Sequence, residues 1–586
     1  MHATAERALN IVTCLSLLVI LLTASITLYG DEISESARLS PDQFMINPPP
    51  AGPPPPVPLS DAKPPRLPRN AEMVPLLDVR SVDGSDNNLE EPDFGSVGTA
   101  FLRLTTNAYA DGLDEPSNEA QENARTISNI LCDQETSVPD RKGYSDFMWV
   151  WGQFIDHDLD LTPSADPAEN YDIAVPAGDP DFDAENTGTA IISVNRSNYL
   201  VDTDGVRQQN NQITTWLDGS QVYGSDENRT NALRTLDGTG RLKTSEGDLL
   251  PFNEEMLDNA PSAFIPTFFL AGDIRANENF GLTAMQTLFV REHNYWATRF
   301  ADEDPELDGD TLYQMARKVV GAEIQAITYR EFLPELIGKR TLPRYRGYKP
   351  EVDATISNVF ATAAYRFGHT QLPSELWLLN EDGSQHDLSP IELGSALFNI
   401  TPITEAGIDP ILRGLAGHVC ESMDPYMVDG VRNLSFGPGV GFDLAAMDIQ
   451  RGRDHGLPTY NQARVDFGLP PAASFEEISD DEETITRLSA AYETVDDVEI
   501  WPGCISEKPV RGGMVGPLTQ RILADQFVRL RDGDRFWYEF DLPKKWVKLI
   551  NKQTLGAIIQ RNTGIGKDLK KPWKVSSSQR PAQRNR

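Results

Sequence analysis

MWVWGQFIDHDLDL, residues 148–161, is the stretch on which the interpretation of this chain depends. It predicts an otherwise apolar helix over about 149–159, in which Gln153 lies four residues before His157. Residues at this spacing share one helix face, so the two polar side chains point to the same place. Because such a pair is more often a satisfied core pair than a catalytic one, a functional interpretation needs further residues.

Two other segments supply candidate partners. FFLAGDIRANENF, residues 268–280, places Arg275 in a polar, glycine-containing stretch after an apolar run. ATAAYRFGHTQLP, residues 361–373, places Arg366 one helical turn before His369. One histidine can ligate iron while the other faces it across a haem. Spacing alone does not decide this, because three more histidines are available, namely His293, His418 and His455.

The body of the chain, predicted as residues 75–566, is helical. Stretches such as 283–300 and 311–332 carry helical patterns, and no strong alternation of apolar and polar residues predicts strands. No internal repeat of useful period is visible. We therefore expect a mainly α fold in which helices are joined by long loops.

The two ends of the chain differ from the body. Residues 8–30 are almost free of charge and match the ~20 residues that cross a bilayer, which predicts an export signal or membrane anchor over residues 1–30. Residues 31–74 contain a proline-rich run and are expected to form an extended, disordered stalk. Residues 567–586 are basic and polar, which predicts a disordered tail. The protein is therefore expected to be secreted or extracytoplasmic, with membrane attachment where the first segment is retained.

The net charge argues against two kinds of binding partner, and the number of cysteines limits disulfide pairing. The net charge of −36 and the pI near 4.5 argue against binding to nucleic acid or anionic membranes, because both require a positive surface. Cys14 lies in the apolar N-terminal segment. The other three, Cys132, Cys420 and Cys504, can form at most one pair in a monomer, and unpaired ones are expected to be buried.

Several long motifs in one order carry a family resemblance. They are GQFIDHDLDLTP (152–163), TTWLDGSQVYGS (214–225), FFLAGDIRANE (268–278), LFVREHN (288–294), RFGHT (366–370), DIQRGRDHGLPTYN (448–461) and LRDGDRFWYE (530–539). Through them the chain resembles the animal haem peroxidases of the peroxidase-cyclooxygenase superfamily over about residues 100–566. The resemblance implies a mainly α-helical peroxidase fold with long loops around one buried b-type haem.

The resemblance implies roles for three residues that act on hydrogen peroxide. His157 resembles the distal histidine that takes a proton from peroxide and returns it to the leaving oxygen, which suits an imidazole because its pKa is near neutrality. Arg275 resembles the distal arginine, whose charge stabilises the negative charge that develops as the O–O bond breaks. Gln153 resembles the glutamine that orients water or halide. Together they imply cleavage of peroxide to give a ferryl haem.

The resemblance also implies how the haem is held. His369 resembles the proximal iron ligand, and Asn461 resembles the asparagine that hydrogen-bonds its other ring nitrogen. Further haem contacts are arginines that pair with propionates and carboxylates that form ester bonds to haem methyl groups, namely Arg366, Arg464, Asp156 and Glu278. Asn279 stands where some members carry a methionine bonded to the haem, so that bond cannot form here. Efficient chloride oxidation is therefore not expected.

A calcium site is implied beside the distal histidine. Asp158 resembles a calcium ligand whose partners come from the loop TTWLDGS. Calcium takes roughly six to eight oxygen ligands. The loop offers alternating oxygens from Thr214, Trp216 (through its carbonyl), Asp218 and Ser220. Without the resemblance, the same loop would be interpreted as an ordinary surface turn.

The resemblance implies a haem peroxidase that uses hydrogen peroxide to oxidise halides, thiocyanate or small phenolic donors. One alternative is a fatty-acid dioxygenase of the same superfamily, which uses a tyrosine three residues before the proximal histidine. Here that position is Arg366, and Tyr365 lies one residue further back. A second alternative is an adhesion or matrix protein that retains a peroxidase fold, which is weakened because every matched catalytic position is filled.

Overall fold

The computed structural model describes residues 74, 76, 78–118, 121–435, 441–567 and 569–575. The predicted signal or anchor, the predicted stalk up to residue 73 and the tail from residue 576 onward lie outside the described residues. The first part of the predicted disordered tail packs on the body instead, because Trp573 is buried and its Nε1 donates to Glu331 Oε2 at 2.7 Å. Within the described ranges, no helix is long and apolar enough to cross a membrane.

Helices dominate the described part of the chain, as the sequence predicts. The two longest, Phe280–Glu303 and Gly309–Ile327, pack against each other. The other α-helices are Ala124–Leu131, Phe147–Leu159, Ser220–Tyr223, Glu227–Leu233, Leu333–Leu336, Asn358–Thr362, Leu393–Ala396, Thr401–Ala406, Ile408–Gly417, Asp429–Arg432, Leu444–Asp454, Tyr460–Asp466, Glu482–Ala491, Ile500–Ser506, Pro517–Asp532, Tyr538–Asp541, Lys544–Ile550 and Leu555–Asn562. Three 3₁₀ helices and one π-helical turn complete the set, namely Ala364–Gln371, Phe475–Glu477, Val495–Asp497 and Thr328–Phe332.

The strands of the described residues are short and form antiparallel pairs. In the longest pair, Tyr199 lies opposite Gln209. The pairs are Ile173–Ala174 with Ile191–Ile192, Tyr199–Val201 with Arg207–Gln209, Glu375–Leu376 with Ile391–Glu392, and Leu434–Ser435 with Gly441–Phe442. These short strand pairs join neighbouring loop segments, and the core is formed by helices.

Side-chain caps determine where the two long helices begin. Asn279 Oδ1 accepts a hydrogen bond from Leu282 N (2.9 Å). Asp308 Oδ1 accepts one from Thr311 N (2.7 Å). Each cap satisfies a backbone N–H that has no partner within its helix. Asn279, which the sequence singled out only for the methionine it replaces, is therefore a structural residue.

The helix Phe147–Leu159 lies in the centre of the core. Its aromatic side chains contact the longest helix, where the Phe154 and Phe289 rings stack 5.0 Å apart. The same helix also packs against the 3₁₀ helix Ala364–Gln371. The segments that carry the two predicted haem-facing histidines are therefore in direct contact.

The three cysteines of the body behave as the sequence predicts. Cys132, Cys420 and Cys504 are free and buried. They fill apolar core positions and form no disulfide within the described ranges.

Candidate active site

Most of the residues predicted to act on peroxide or to hold haem line one cavity of about 410 Å³. Predicted residues on its lining are Gln153, Asp156, His157, Arg275, Glu278, Arg366 and His369. Much of the remaining lining is apolar and includes Phe101, Leu372, Leu397, Phe398, Val431 and Phe442. A pocket with apolar walls and a few polar groups suits a large organic ligand.

His157 is buried without a short hydrogen bond to any described residue. Its Nδ1 lies 3.6 Å from Asp273 Oδ1, and its Nε2 lies 3.8 Å from Glu278 Oε2. Burial, followed by the positive charge of Arg275, lowers the pKa of His157 to about 3. The imidazole is therefore neutral at neutral pH and can accept a proton.

Arg275 is held in place by a carboxylate and a backbone carbonyl. Its Nε donates to Asp273 Oδ1 and its Nη2 to Asp273 Oδ2, both at 2.9 Å. Nη2 also donates to the Asp160 carbonyl at 2.9 Å. Nη1 lies 3.7 Å from Asp156 Oδ2 on the cavity lining. The guanidinium is thus a fixed positive charge beside His157.

Gln153 is oriented by two neighbours. Its Nε2 donates to Glu278 Oε2 (2.8 Å), and its Oε1 accepts a hydrogen bond from Asn279 Nδ2 (2.9 Å). Because Asn279 also caps the longest helix, the start of that helix sets the direction of the Gln153 amide. No sequence pattern predicts this contact, because Asn279 and Gln153 are 126 residues apart.

The two carboxyl groups at the predicted ester positions have raised pKa values. Burial raises the pKa of Glu278 to about 7, although Arg275 opposes the shift. Burial also raises the pKa of Asp156, again against Arg275. Both side chains line the cavity and are candidates to meet a ligand there.

His369 is fixed by a carboxylate. Its Nδ1 lies 2.6 Å from Asp448 Oδ2, and Asp448 is fully buried. The other oxygen of Asp448 accepts a hydrogen bond from Arg366 Nη1 at 2.9 Å. A carboxylate on one ring nitrogen fixes the tautomer and strengthens the other nitrogen as a metal ligand.

The predicted partner of His369, Asn461, does not contact it in the structure. The Asn461 amide donates to Ala472 O (2.9 Å) and Asp496 Oδ1 (2.6 Å), and its oxygen accepts from Ala472 N (2.8 Å). These hydrogen bonds hold the loop that contains Ala472 in place. The assignment of Asn461 to the haem site was therefore wrong. Asp448 occupies the role that the sequence analysis gave to Asn461.

Arg464 also lies away from the cavity, contrary to the prediction. Its Nη1 is 2.9 Å from both Tyr460 Oη and Glu507 Oε1, and its Nε donates to Pro470 O (2.7 Å). Burial raises the pKa of Glu507 to about 7, so this carboxyl group benefits from an adjacent cation. Arg451 lines the cavity instead.

A signal for the two missed residues was present in the sequence. Asp448 and Arg451 are three residues apart in the helix Leu444–Asp454 and therefore share one helix face. Both belong to DIQRGRDHGLPTYN, the motif from which Asn461 was chosen. The spacing predicts that Asp448 and Arg451 lie on one helix face, but only the packing shows that this face lies next to His369.

The other histidines have structural partners. His455 lines the cavity, but its Nδ1 is 2.8 Å from Asn358 Oδ1 and its Nε2 is 2.8 Å from Ser197 Oγ. His293 lies between the Tyr223 hydroxyl and a backbone carbonyl, at 3.0 and 2.9 Å. His418 contacts a buried carboxylate at 3.0 Å. These contacts leave His157 and His369 as the histidines available to a ligand in the cavity.

The residues of the predicted calcium site form one buried cluster. Asp158 Oδ1 accepts hydrogen bonds from Ser220 N (2.6 Å) and Ser220 Oγ (2.7 Å). Asp218 Oδ1 accepts from Ser220 N (3.0 Å) and lies 3.3 Å from Thr214 Oγ1. The Trp216 carbonyl accepts a hydrogen bond from Asp218 N at 2.9 Å.

Two buried carboxylates dominate this cluster. Burial and the negative charge of Asp218 raise the pKa of Asp158 well above its usual range. Asp218 Oδ2 has no hydrogen-bond partner, although Arg317 Nη2 lies 3.6 Å away. Neighbouring carboxylates of this kind are stabilised by a cation, and the remaining donors are the neutral oxygens that calcium accepts.

Comparison with known proteins decides the family. The model of the animal haem peroxidase family matches residues 79–573. The chain belongs to this family. As a member of the animal haem peroxidases, it is a peroxidase, an oxidoreductase that acts on hydrogen peroxide with an electron donor. The family also implies haem as the cofactor.

Characterised relatives support the assignment. Peroxinectin A of Dictyostelium discoideum is 35% identical over 515 residues, which cover 83% of this chain and 93% of the relative. Lactoperoxidase of Mesocricetus auratus is 36% identical over 563 residues, which cover 85% of this chain and 78% of the relative. The peroxidasin homolog of Homo sapiens is 37% identical over 518 residues, which cover 78% of this peroxidase but only 35% of that longer protein.

Solved structures show the same fold. Peroxidase A from Dictyostelium discoideum superposes with a TM-score of 0.78 at 33% identity, covering 85% of this chain and 99% of the other. A fatty acid alpha-dioxygenase from Oryza sativa superposes with a TM-score of 0.71 at 22% identity, covering 86% and 88%. The second likeness concerns the fold alone. The expected mainly helical peroxidase fold is thereby confirmed.

Proposed function

We propose that this peroxidase holds haem in the 410 Å³ cavity, with His369 Nε2 as the iron ligand, and oxidises halides, thiocyanate or small phenols. One observation carries the proposal. The same cavity is lined by a buried, neutral His157 with a fixed Arg275, and by His369 anchored through Asp448.

The surrounding residues fit a haem. Apolar side chains form much of the lining and suit the porphyrin ring, while Arg366 and Arg451 are placed to pair with its propionates. Nδ1 of His157 and the hydroxyl of Tyr365 are buried without hydrogen-bond partners. Buried polar atoms rarely stay unpaired, so their position on the cavity lining supports a ligand there.

Haem bound in this cavity supplies the redox centre that takes oxidising equivalents from hydrogen peroxide. His157 accepts a proton from one peroxide oxygen and delivers it to the leaving oxygen, which departs as water. Arg275 stabilises the negative charge on that oxygen while the O–O bond breaks. Gln153, oriented by Glu278 and Asn279, holds water or a small anion beside His157.

Asp156 and Glu278 are proposed as the residues that would form ester bonds to haem methyl groups, each bond replacing a methyl C–H bond while one hydrogen peroxide takes up the two electrons and is reduced to water. Their support is their position on the cavity lining and their buried carboxyl groups. Asn279 provides no sulfur for a third bond. We therefore propose bromide, iodide, thiocyanate or phenols as donors in preference to chloride.

Calcium is proposed to bind Asp158, Asp218 and the oxygens of the adjoining loop. The cluster supports this by burying two carboxylates next to hydroxyl oxygens of Thr214 and Ser220. A cation there would connect the helix that carries His157 to the loop at residues 214–220. A secreted or extracytoplasmic location, with membrane attachment as an alternative, is proposed from the apolar residues 8–30.

A dioxygenase activity is the second candidate. Tyr365 lines the cavity with an unpartnered hydroxyl, which favours a radical role for this side chain. It lies four residues before His369, whereas Arg366 fills the position three residues before it. Oxygen uptake with linoleate or arachidonate in the absence of peroxide turnover would favour this candidate.

The proposed function is tested by the absorption spectrum of the purified full-length protein supplied with haem. We expect a Soret band, a spectral change on adding hydrogen peroxide, and a return to the initial spectrum on adding iodide, thiocyanate or a phenol. Absence of a Soret band after haem supplementation would overturn the proposal and favour the adhesion alternative.

A further inference from the structure

A second cavity, of about 420 Å³, lies apart from the haem cavity. We call it the Trp537 cleft. Its lining residues are Tyr329, Arg330, Leu333, Pro334, Ile337, Gly338, Lys339, Leu342, Pro343, Arg344, Tyr345, Arg531, Trp537, Tyr538 and Glu539. The two lining sets share no residue. The cleft combines aromatic rings with positive charge, and both properties need an explanation.

The positive charge of the cleft is unusual in a chain of net charge −36. Four cationic side chains line the cleft, and Glu539 is the carboxylate among the lining residues. Arg330 and Arg344 form no salt bridge with any described residue, although Arg330 hydrogen-bonds the Tyr538 side chain. Lys339 is exposed, and its Nζ lies 3.5 Å from Glu335 Oε1. Arg531 already has a carboxylate partner, because its Nε donates a hydrogen bond to Oδ1 of the adjacent Asp532 at 2.8 Å. Arg330, Lys339 and Arg344 line one shared space in which positive side chains outnumber carboxylates, and this suits an anion.

Buried donors on the lining also lack partners. Trp537 is 2% exposed, and its indole N–H has no hydrogen-bond acceptor in the described structure. The Tyr345 hydroxyl is likewise buried without a partner. Unpaired buried donors indicate an unfilled acceptor position. The cleft is also lined by the π-helical turn Thr328–Phe332, a distortion that is frequent at functional sites.

Aromatic rings connect this cleft with the haem cavity. The Trp537 and Tyr329 ring centroids are 4.7 Å apart, and the Tyr329 and Phe527 centroids are 5.9 Å apart. Phe527 lies 6.0 Å from Tyr365, which lines the haem cavity. Each step lies within the spacing of contacting aromatic pairs, roughly 4.5–7 Å. The three ring pairs are T-shaped or tilted, and ring contacts this close provide a short through-space path for an electron.

We propose that the Trp537 cleft is a second reductant site, which binds a phenolic carboxylate and passes one electron to the haem cavity through Trp537, Tyr329, Phe527 and Tyr365. The carboxylate is held by Arg330, Arg344 and Lys339, and the phenol ring stacks on the aromatic lining. This inference rests on the proposed function, because the haem site must first be oxidised by hydrogen peroxide.

The electron balance is complete. Each phenol loses one electron and its hydroxyl proton, and the proton leaves to solvent through the open side of the cleft. The electron reduces the peroxide-oxidised haem site. Two phenol molecules and one hydrogen peroxide therefore yield two phenoxyl radicals and two water molecules.

The first test measures binding by calorimetry on the haem-loaded full chain. The probes are 4-hydroxyphenylacetate and its neutral counterpart 4-methylphenol. We expect the carboxylate to bind more tightly, and the exposed double substitution Lys339→Glu with Arg344→Glu to weaken its binding by about tenfold or more. The matched control, Lys545→Glu with Lys552→Glu, reverses two exposed cations outside the cleft. Equal binding of the two probes, or equal binding by the cleft variant and the control, would overturn the proposal.

The second test separates the electron path from binding. The Tyr329 hydroxyl is already bonded to the Phe527 carbonyl at 2.5 Å, so Tyr329→Phe removes an oxidisable phenol and preserves the ring. We expect the dissociation constant for 4-hydroxyphenylacetate to stay the same while kcat for its oxidation falls about tenfold or more. Iodide oxidation, which takes place in the haem cavity, is expected to be unchanged. An unchanged kcat would overturn the path, whereas loss of iodide oxidation in the wild type would overturn the proposed function itself.

Discussion

His157 and His369, two of the histidines on the cavity lining, are held in opposite ways. His369 Nδ1 lies 2.6 Å from Asp448 Oδ2, a short contact to a fully buried carboxylate. His157 has carboxylates at 3.6 and 3.8 Å and no hydrogen bond from its Nδ1 to a described residue. An iron ligand must keep one orientation and one tautomer. A proton carrier must keep a nitrogen free for its substrate, so the looser setting of His157 fits its proposed role.

The largest expected effect comes from removing the loosely held histidine. His157→Ala eliminates the proton acceptor, so the rate constant for reaction with hydrogen peroxide should fall by about 10²–10⁴, the usual contribution of a general base. Stopped-flow absorption measures it. His386→Ala, which changes a histidine outside the cavity, should react like the wild type. Rapid reaction of His157→Ala would show that the distal assignment is wrong.

Removing the anchor of the tightly held histidine should have the next largest effect. Asp448→Ala leaves His369 Nδ1 without its carboxylate, and haem affinity should weaken by about 10–100-fold. Titration with haem, followed at the Soret band, measures this affinity. The matched change Asn461→Ala should leave haem affinity unaltered, because Asn461 contacts Ala472 and Asp496 instead. The reverse ranking of the two variants would restore Asn461 to the haem site.

The proposed calcium site adjoins His157 through Asp158, the next residue in the chain. Asp158→Ala should abolish calcium content and remove the stabilisation that bound calcium supplies, about 1.4 kcal/mol at a calcium concentration tenfold above Kd. Elemental analysis and the shift of Tm on adding EDTA measure the two effects. Asp237→Ala, which changes an exposed turn, serves as the control. A wild-type Tm that does not respond to EDTA contradicts the site.

Asn279 caps the helix Phe280–Glu303 and also hydrogen-bonds Gln153 on the cavity lining. Asn279→Ala should cost about 1 kcal/mol of stability, because it removes a helix cap, and should also slow the peroxide reaction by releasing Gln153. Asp481→Ala removes a similar cap from the helix Glu482–Ala491, far from the cavity lining. The Asp481→Ala substitution should lower Tm without changing the rate of the peroxide reaction. Equal peroxide kinetics in the two variants would limit Asn279 to a structural role.

The smallest expected effect is that of mild acid on the peroxide reaction. Because the pKa of His157 is lowered to about 3, its imidazole stays neutral as pH falls from 7 to 5 and loses its basic form only near pH 3. The rate constant should therefore be nearly flat over that range. Glu278→Gln removes the neighbouring carboxyl group, whose pKa is raised to about 7, and should give the same flat profile. A rate that halves near pH 6.5 in both the wild type and Glu278→Gln would indicate an imidazole with an unshifted pKa, whereas a change confined to the wild type would be assigned to Glu278.

The buried histidine also affects stability. An unfolded His157 takes up a proton below its ordinary pKa of 6.5, whereas the folded form stays neutral until about pH 3. Protons therefore favour the unfolded state, and this histidine destabilises the fold increasingly as pH falls from about 6.5 towards 3. The sign is opposite to that of a histidine stabilised by an ion pair, such as His418, whose pKa is raised although burial opposes the shift.

Much of the fold and part of the candidate site could be predicted from sequence. The run at 148–161 indicated a buried helix, and the structure forms it over Phe147–Leu159. The roles of His157, Arg275 and His369 came from a family resemblance, and their positions on one cavity support those roles. Roles of this kind can be assigned from sequence where the residues that carry a function lie in short motifs that keep the same order along the chain.

Contacts between distant segments could not be predicted in the same way. GQFIDHD by itself determined that Gln153 and His157 would share one helix face, because helical spacing is local, whereas the peroxide and calcium roles of its polar residues came from the family resemblance. Only the tertiary structure decided that Asp448, and not Asn461, meets His369, and that Arg451 replaces Arg464 on the cavity. The reason is physical: a helix face is set by sequence spacing, but the neighbour that this face meets is set by how the helices pack.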